Sequence, residues 1–509
     1  MTRGVDADFL ALPLDACADA GLSRARELGA TFADVRVVSL ATSYQRLRNG
    51  ALEGSVLDDD RGLSVRVVVE GCWGFAASDV VSPDSARLLA DRAVLLARAS
   101  APLTTHRVEL ADEPAYVGSW VSSYDIDPFS VPESERVGLV ADRQRRLQAS
   151  AAVATVTSSL HAVKERTFFA DLTGTRVTQQ RVRIELETTA VAVDPATGAF
   201  ETMTTQGPPA GRGWEYVTGD CADVGGARRW DWDAEAERIP DLLAEKLRAP
   251  SIEPGRYDLV IDPANLYLTI HESVGHATEL DRALGYEANY AGTSFATPDL
   301  LGTLKYGSPL MHVTGDRVVE HGLSTVGWDD EGVAAQSWDL VRDGILVGHQ
   351  LDRSMAAEFG HPRSNGCAYA DMATHTAIQR MPNVSLEADP QGPDLESLIA
   401  GVEDGILVQG NKSWSIDMQR FNFQFTGQQF HRIRAGQLAG QVKDVAYQSS
   451  TTDFWGSLVA LGGPQTYLLG GALNCGKGQP AQVAPVSHGC PAAVFEKVNV
   501  LNASQEGDA

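Results

Sequence analysis

The sequence lacks both an excess of positive charge and a long uninterrupted apolar run. Its 509 residues include 42 Lys and Arg against 67 Asp and Glu, a net charge of −25 at pH 7 with histidine neutral. Nucleic acids and anionic membranes are bound through basic patches, so this balance argues against both as partners. The charge-free stretch 456–473 is broken by Gly462, Pro464 and Gly470. A membrane-spanning helix needs about 20 mostly apolar residues, so we expect none.

An export signal and a disulfide framework are also missing. Asp6, Asp8 and Asp15 interrupt the opening residues, where a signal peptide has a basic start and an unbroken apolar run. The six cysteines are scattered and form no CxxC pair. Scattered cysteines in a long chain indicate free thiols in a reducing compartment. We therefore expect a cytoplasmic protein.

The first half of the sequence alternates helical and extended patterns. Apolar residues recur at helical spacing in 13–30, and Ser82 before Pro83 is a typical helix start. Period-two alternation follows in 34–78 and again from residue 152 to about residue 203. These patterns predict an N-terminal α+β domain with antiparallel strands over residues 1–248.

A linker is predicted next, because two prolines and a glycine occur within 249–256. Beyond it lie one clear helix and many short strands punctuated by glycine. Residues 257–509 are therefore predicted to form a mostly-β catalytic domain that carries one metal-binding helix. The fold class predicted for the whole chain is α+β.

The candidate catalytic residues follow the linker, where His271 and His276 bracket Glu272 on the predicted helix. Imidazoles bind zinc, and a carboxylate can take a proton from a zinc-bound water. The familiar zinc-protease motif spaces its histidines four apart, but these are five apart. On a straight α-helix they would be separated by about 140° around the axis and about 7.5 Å along it. We therefore predict a helix that is broken or widened near Gly275. The alternative is a helix end whose histidines only pack or hydrogen-bond.

A distant cysteine could complete a metal site. Cys475 lies among glycines and near Lys477 in the motif 474–480. Backbone amides and positive charge lower the pKa of a thiol and favour metal ligation. Two histidines, one thiolate and an open fourth position would make a catalytic zinc site. The alternative is a free, partly buried cysteine in a tight turn.

Taken together, the motifs resemble those of the TldD/PmbA metalloprotease family, in its active TldD-type subunit. The string HESVGHATELD at 271–281 is similar to the family signature. Further matching motifs, spread over nearly the whole chain, are 33–36, 62–67, 71–75, 291–294, 329–336, 380–383, 474–480 and 487–489. Each is weak alone, but their order and spacing are specific.

This resemblance implies a zinc-dependent metallopeptidase with one Zn²⁺ per chain. By residue, His271, His276 and Cys475 would bind the zinc, and Glu272 would be the general base on a zinc-bound water. The family implies short or unfolded peptides as substrates, reached inside a hollow dimer and held as an added strand. It also implies dimerisation with a PmbA/TldE-like partner subunit or with a second copy. Because the metal motif is intact, the chain resembles the catalytic member.

Three further residues are candidates at the site. Glu279 or Asp281 could orient a ligating imidazole, or both could belong to a solvated helix end. His488 could face the substrate, stabilise an oxyanion, or be a structural turn histidine. The stretch 329–332 lacks the spacing of a calcium loop and predicts a turn beside the active-site cleft.

The predicted function is hydrolysis of peptides by a zinc-dependent mechanism. One alternative is a zinc amidase that acts on a non-peptide amide in a biosynthetic pathway. The other is a non-enzymatic regulatory or partner subunit, since the family is also associated with modulation of DNA gyrase. Analysis of the products formed from a panel of peptides would distinguish the amidase from a peptidase. If the protein tolerates the loss of Glu272 without consequence, it is a regulatory or partner subunit.

Overall fold

The computed structural model describes residues 4–478 and 480–504. This part of the chain is a mixed α+β structure, 25% helix and 39% strand, which confirms the predicted fold class. Gln479, within the motif 474–480, lies outside the described residues. None of the described helices has the length and apolar character needed to cross a membrane.

The first half is built on one large sheet. Its strands are β1 (Phe32–Arg48), β2 (Ala51–Val69), β3 (Cys72–Ser78), β4 (Val117–Val121), β5 (Thr155–Asp171), β6 (Arg176–Val193) and β7 (Phe200–Thr204). They lie in the order β3-β2-β1-β5-β6-β4, with β7 paired to β6. The pairs are antiparallel apart from β4 with β6. The turn between β1 and β2 has Asn49 and Gly50 in the left-handed region, as a two-residue hairpin requires.

Helices cover this sheet where the sequence has helical periodicity. They are α1 (Ala7–Leu10), α2 (Leu14–Glu27), α3 (Pro83–Ser100), α4 (Glu133–Gln148), α5 (Trp214–Thr218) and α6 (Trp232–Arg248). The predicted start of α3 is confirmed, because the Ser85 N–H donates to Ser82 Oγ at 3.1 Å. Leu22 of α2 and Leu89 of α3 join Val35 and Val65 of the sheet in one apolar core.

The second half is rich in short strands, as predicted. They are β8 (Gly255–Ile261), β9 (Val313–Asp316), β10 (Ser337–Arg342), β11 (Ile345–Leu346), β12 (Ala368–Tyr369), β13 (Ile378–Gln379), β14 (Asn383–Leu386), β15 (Asp404–Ile416), β16 (Asn422–Arg434), β17 (Gln437–Val442), β18 (Val445–Ser450), β19 (Leu458–Leu461), β20 (Leu468–Lys477), β21 (Gln482–Cys490) and β22 (Ala493–Asn502). Strands β15, β8, β22, β18 and β16 close into a barrel, because β15 also pairs with β16. β20 and β21 form a separate hairpin.

The longest described helix of this half packs against the barrel. It is α7 (Pro263–Ile270), and the other helices are the short α8 (Leu280–Ala283), α9 (Arg353–Glu358), α10 (Leu395–Ala400) and α11 (Thr451–Gly456). Leu266 and Ile270 of α7 share an apolar core with Phe425 and Phe495 of the barrel. Thr269 also contacts the Tyr447 hydroxyl at 2.9 Å. The barrel therefore fixes the position of the helix that carries the candidate metal ligands.

The predicted linker 249–256 is a packed segment. α6 ends at Arg248 and β8 begins at Gly255. Between them, the Ile252 N–H donates to the Lys443 carbonyl and the Lys443 N–H donates to the Pro250 carbonyl, both at 3.0 Å. The segment is thus bonded to the second half, and the domain boundaries stay a prediction.

Buried ion pairs join the large sheet to the turn at 329–332. Arg36 contacts Asp330 at 2.8 Å, and Arg66 contacts Asp34 at 2.7 Å and Glu331 at 3.0 Å. We call these five residues the joint network. The motifs 33–36, 62–67 and 329–336 therefore come together in space. The predicted turn is confirmed by the bond from the Gly332 N–H to the Asp329 carbonyl. Its place beside an active-site cleft stays a prediction.

Candidate metal centre

The helix that carries the two histidines changes its pitch where they lie. α7 ends at Ile270, His271–Gly275 form a π-helical turn, and His276–Thr278 form a 3₁₀ turn. The His276 N–H donates to the His271 carbonyl, five residues back. In this geometry residues five apart lie on one face of the helix. The predicted widening is confirmed, and the two imidazole ring centres lie 4.7 Å apart.

Gly275 lies close to the side chain of a neighbouring methionine. A Cβ at this position would lie 2.6 Å from Met381 Sδ. Its φ of −54° is one that any residue adopts, so backbone freedom does not require glycine here. The Gly275 carbonyl also accepts a hydrogen bond from Gln350 Nε2. A larger residue here would therefore require the end of the Met381 side chain, in the motif 380–383, to shift.

His271, His276 and Cys475 come together as the sequence predicts. All three are buried, and one ligand atom from each lies within 4.8 Å of the others. Cys475 Sγ is 3.5 Å from His276 Nε2. Two nitrogens and one sulfur suit zinc, which binds such atoms at about 2.0–2.3 Å. An irregularity in β20 between Ala472 and Cys475 shifts the register of the hairpin just before the cysteine.

The hydrogen bonds of His271 leave its Nε2 available to a metal. Its Nδ1 lies 2.7 Å from His488 Nε2, and His488 Nδ1 lies 2.8 Å from the Val384 carbonyl. Because a carbonyl only accepts, His488 carries its proton on Nδ1 and accepts at Nε2. His271 must then donate from Nδ1. Burial lowers the pKa of both imidazoles, which favours the neutral form that metal ligation requires.

His488 therefore lies behind a candidate ligand. It is fully buried and lies within strand β21 of the β20–β21 hairpin, so it is not a turn histidine. Its contact with His271 is the kind that orients a ligating imidazole. The sequence placed it near the site but did not indicate this partner.

Glu279 holds the second histidine in a similar way. Glu279 Oε2 lies 2.8 Å from His276 Nδ1, and Lys477 and Arg282 bind the same carboxylate at 3.1 and 3.3 Å. Burial would raise the pKa of Glu279, but Lys477, His276 and Arg282 together hold it well below its usual value. An ionised Glu279 accepts a hydrogen bond from the Nδ1–H of His276, so that Nε2, which faces Cys475 Sγ, is the nitrogen available to a metal.

Asp281 has a different contact. It binds Lys477 Nζ at 2.8 Å, and in the described residues it touches no imidazole. Both Glu279 and Asp281 are buried, so the solvated helix end is excluded. Of these two carboxylates, Glu279 is the one placed to orient a candidate ligand directly.

Cys475 lies beside positive charge, but not the charge that the sequence indicated. Burial would raise the pKa of its thiol, whereas His276 and Arg380 lower it below its usual value. Arg380 also donates from Nη2 to the Cys475 carbonyl. Lys477 is occupied instead by Glu279 and Asp281. The six cysteines are all free, as predicted, so Cys475 is not consumed by a disulfide.

The candidate base, Glu272, meets a residue that the sequence did not indicate. Glu272 Oε2 accepts a hydrogen bond from Arg420 Nη1 at 2.8 Å, and both side chains are largely buried. Burial would raise the pKa of Glu272, but His271, His276 and Arg420 lower it below its usual value. Glu272 is therefore ionised beside the candidate ligands. No local pattern could predict a partner so distant in the chain.

Two family models match the chain. The PmbA/TldA metallopeptidase C-terminal domain matches residues 254–502, and domain 1 of the same family matches residues 33–97. Together they span more than half of the sequence. The chain belongs to the TldD/PmbA family, a family of metallopeptidases.

Individual relatives agree with this assignment. A protein of Methanothermobacter thermautotrophicus named metalloprotease is 26% identical over 465 residues, 90% of this chain and 93% of that relative. A protein of Saccharolobus solfataricus named zinc metalloprotease TldD homolog is 21% identical, covering 84% of this chain and 88% of that relative. The solved structure of TldE from Thermococcus kodakarensis has a TM-score of 0.68 at 15% identity, covering 95% of this chain and 99% of that one. This last likeness shows the fold.

Proposed function

We propose that this chain is a zinc-dependent peptidase that hydrolyses short or unfolded peptides. One zinc ion per chain would be held by His271, His276 and Cys475, and Glu272 would be the general base. The observation that carries this proposal is the placement of three buried ligand atoms within 4.8 Å of one another, beside a carboxylate.

The surrounding residues fit a metal. Both histidines engage their Nδ1 atoms with buried neighbours, His488 and Glu279, and so direct Nε2 towards the common point. His276 and Arg380 favour the thiolate form of Cys475. When bound, zinc supplies Lewis-acid polarisation of the scissile carbonyl and lowers the pKa of the attacking water.

The proton transfers of the proposed reaction would be carried out by side chains of this chain. Glu272, ionised at neutral pH, would take a proton from the attacking water and pass it to the leaving amine. Arg420 would hold one carboxylate oxygen during these transfers. A dimer, with a PmbA/TldE-like subunit or a second copy, and a cytoplasmic location are further proposals that rest on family membership and on the free thiols of the described cysteines.

The test combines metal analysis with a peptide screen. Elemental mass spectrometry of the purified chain should find about one zinc, and Cys475→Ala should lose it. Cys17→Ala is the matched control, since it removes a buried free thiol of α2 far from the cluster. Peptide products are then identified by mass spectrometry, with and without a candidate partner subunit.

Other outcomes favour the alternatives. Cleavage of small non-peptide amides, with every peptide intact, would indicate the biosynthetic amidase. Absence of metal under zinc-replete, reducing conditions would indicate a non-enzymatic regulatory or partner subunit. Zinc content unchanged in Cys475→Ala would remove this residue from the ligand set.

A further inference from the structure

The turn at 417–421, between β15 and β16, is docked onto the segment 291–295. The Thr293 N–H donates to the Met418 carbonyl at 2.7 Å, and the Phe295 N–H donates to the Gln419 carbonyl at 3.1 Å. Asp417 Oδ1 accepts the backbone N–H groups of Gln419 and Phe421 within the turn. The backbone of the turn is therefore fixed from both sides.

Arg420 has an unusual backbone conformation in this turn. Its φ is +62°, in the left-handed region that residues other than glycine and asparagine seldom adopt. Such a conformation persists when the surroundings impose it, and it is common at functional sites. A glycine or an asparagine would fit this backbone more easily. The reason for an arginine must therefore lie in its side chain.

The guanidinium reaches from the turn to the candidate base. Arg420 Nη1 donates to Glu272 Oε2 at 2.8 Å, with 14% of the arginine side chain and 8% of the glutamate side chain exposed. Across residues 4–478 and 480–504, no other side chain hydrogen-bonds this carboxylate. Arg420 engages one oxygen and leaves Oε1 for the proton transfer.

The arginine that contacts the candidate base shares a hydrogen-bond acceptor with the arginine behind a candidate ligand. The Ala291 carbonyl accepts from Arg420 Nη2 at 3.4 Å and from Arg282 Nη1 at 2.7 Å. Arg282 in turn binds Glu279, the partner of His276. The motif 291–294 therefore provides a common anchor for both arginines.

We infer that Arg420 is the positioning residue for Glu272: the turn presents its guanidinium so that the carboxylate is held at one oxygen and oriented for proton transfer. This inference rests on the proposed function and deepens it. A planar guanidinium suits the role because its donors have fixed directions, whereas a lysine ammonium is a point charge without them.

The experiment compares Arg420→Asn, Arg420→Lys and Gln419→Ala. Asparagine tolerates the left-handed backbone conformation, so Arg420→Asn removes the guanidinium without adding backbone strain to the turn. Gln419→Ala is the control, because this exposed residue contributes only backbone bonds to the docking. Zinc content, thermal unfolding, kcat and KM are measured for each variant on a peptide that the wild type cleaves.

Arg420→Asn should keep its zinc and its fold while kcat falls by about 10- to 100-fold, since a misplaced catalytic group costs rates of that order. KM should change by less than about threefold, because the lost interaction acts on the transition state. Arg420→Lys should recover only part of kcat. Added ethylguanidine should restore part of the Arg420→Asn rate but not raise that of Gln419→Ala.

Contrary outcomes can be assigned. An unchanged kcat in Arg420→Asn, or loss of zinc together with activity, would overturn the positioning role alone. A wild-type chain that binds zinc but cleaves no peptide would overturn the proposed function, and this inference with it.

Discussion

The buried charged residues of the joint network and those of the candidate metal centre have different kinds of partner. In the joint network each carboxylate faces a guanidinium, with Arg66 between Asp34 and Glu331 and Arg36 against Asp330. At the metal centre the neutral His488 instead holds His271 from behind, and the ionised Glu279 holds His276. The ligand atoms of His271, His276 and Cys475 lie on the other side, within 4.8 Å of one another.

This difference separates a structural cluster from a candidate functional one. A network in which each carboxylate is paired with a guanidinium needs no metal, and loss of a guanidinium should affect stability. A cluster whose nitrogens and sulfur lie within 4.8 Å of one another has the ligands that a zinc ion prefers. Burial and charge density alone would not distinguish the two regions, whereas the close approach of three ligand atoms does.

The largest effect is expected from Glu272→Gln. The amide keeps the shape of the side chain and can still accept from Arg420, but it cannot take a proton. Peptide hydrolysis should fall by about 10²–10⁴-fold, with zinc content and unfolding temperature unchanged. Turnover numbers and elemental analysis on the same preparation check this. Near-normal hydrolysis would show that Glu272 is not the base.

Arg66→Met should lower the stability of the protein through the joint network. It leaves Asp34 and Glu331 buried without their guanidinium, which should cost about 3–5 kcal/mol in the free energy of unfolding. Urea denaturation measures this, and zinc affinity of the folded protein should not change. The control is Arg87→Met, whose partner Asp84 lies 3.6 Å away on the surface. Such exposed pairs contribute about 0–1 kcal/mol. Equal stability of the two variants would contradict the proposed difference between the regions.

Glu279→Gln should have the smallest effect of the three. Its amide oxygen can accept from His276 Nδ1, but the charge that supports the imidazole is lost. Zinc affinity should fall by about 10- to 100-fold, the usual result of changing such a partner. Competition with a chromophoric chelator measures the affinity. Asp281→Asn, which touches Lys477 but no described imidazole, should weaken binding less. The reverse order would make Asp281 the more important carboxylate.

Patterns in the sequence predicted much of the fold and several residues of the candidate site. Helical and period-two spacing predicted the first sheet and its helices, and the five-residue separation of His271 and His276 predicted the widened turn. The family resemblance indicated that Cys475 belongs with them. In each case the information lies in spacing along the chain or in a motif whose order is specific.

The remaining contacts depend on packing between distant segments. Arg420 reaches Glu272, and His488 reaches His271, across more than a hundred residues. Neither pair has a periodicity or a spacing that the sequence could reveal. The sequence placed the widened turn near Gly275, but it did not indicate that Met381 packs against this glycine. Lys477 was expected to act on the thiol, and it neutralises carboxylates instead.

The position of Cys475 on β20 has a consequence for biosynthesis. The same strand supplies Lys477, which anchors the carboxylate behind His276. During translation, α7 and its histidines emerge long before this strand, and contacts so distant in sequence form late. A nascent chain would therefore carry the candidate base and two ligands without a complete centre. The proposed activity would therefore begin only after β20 has been synthesised and docked, and an unfinished polypeptide could not cleave itself.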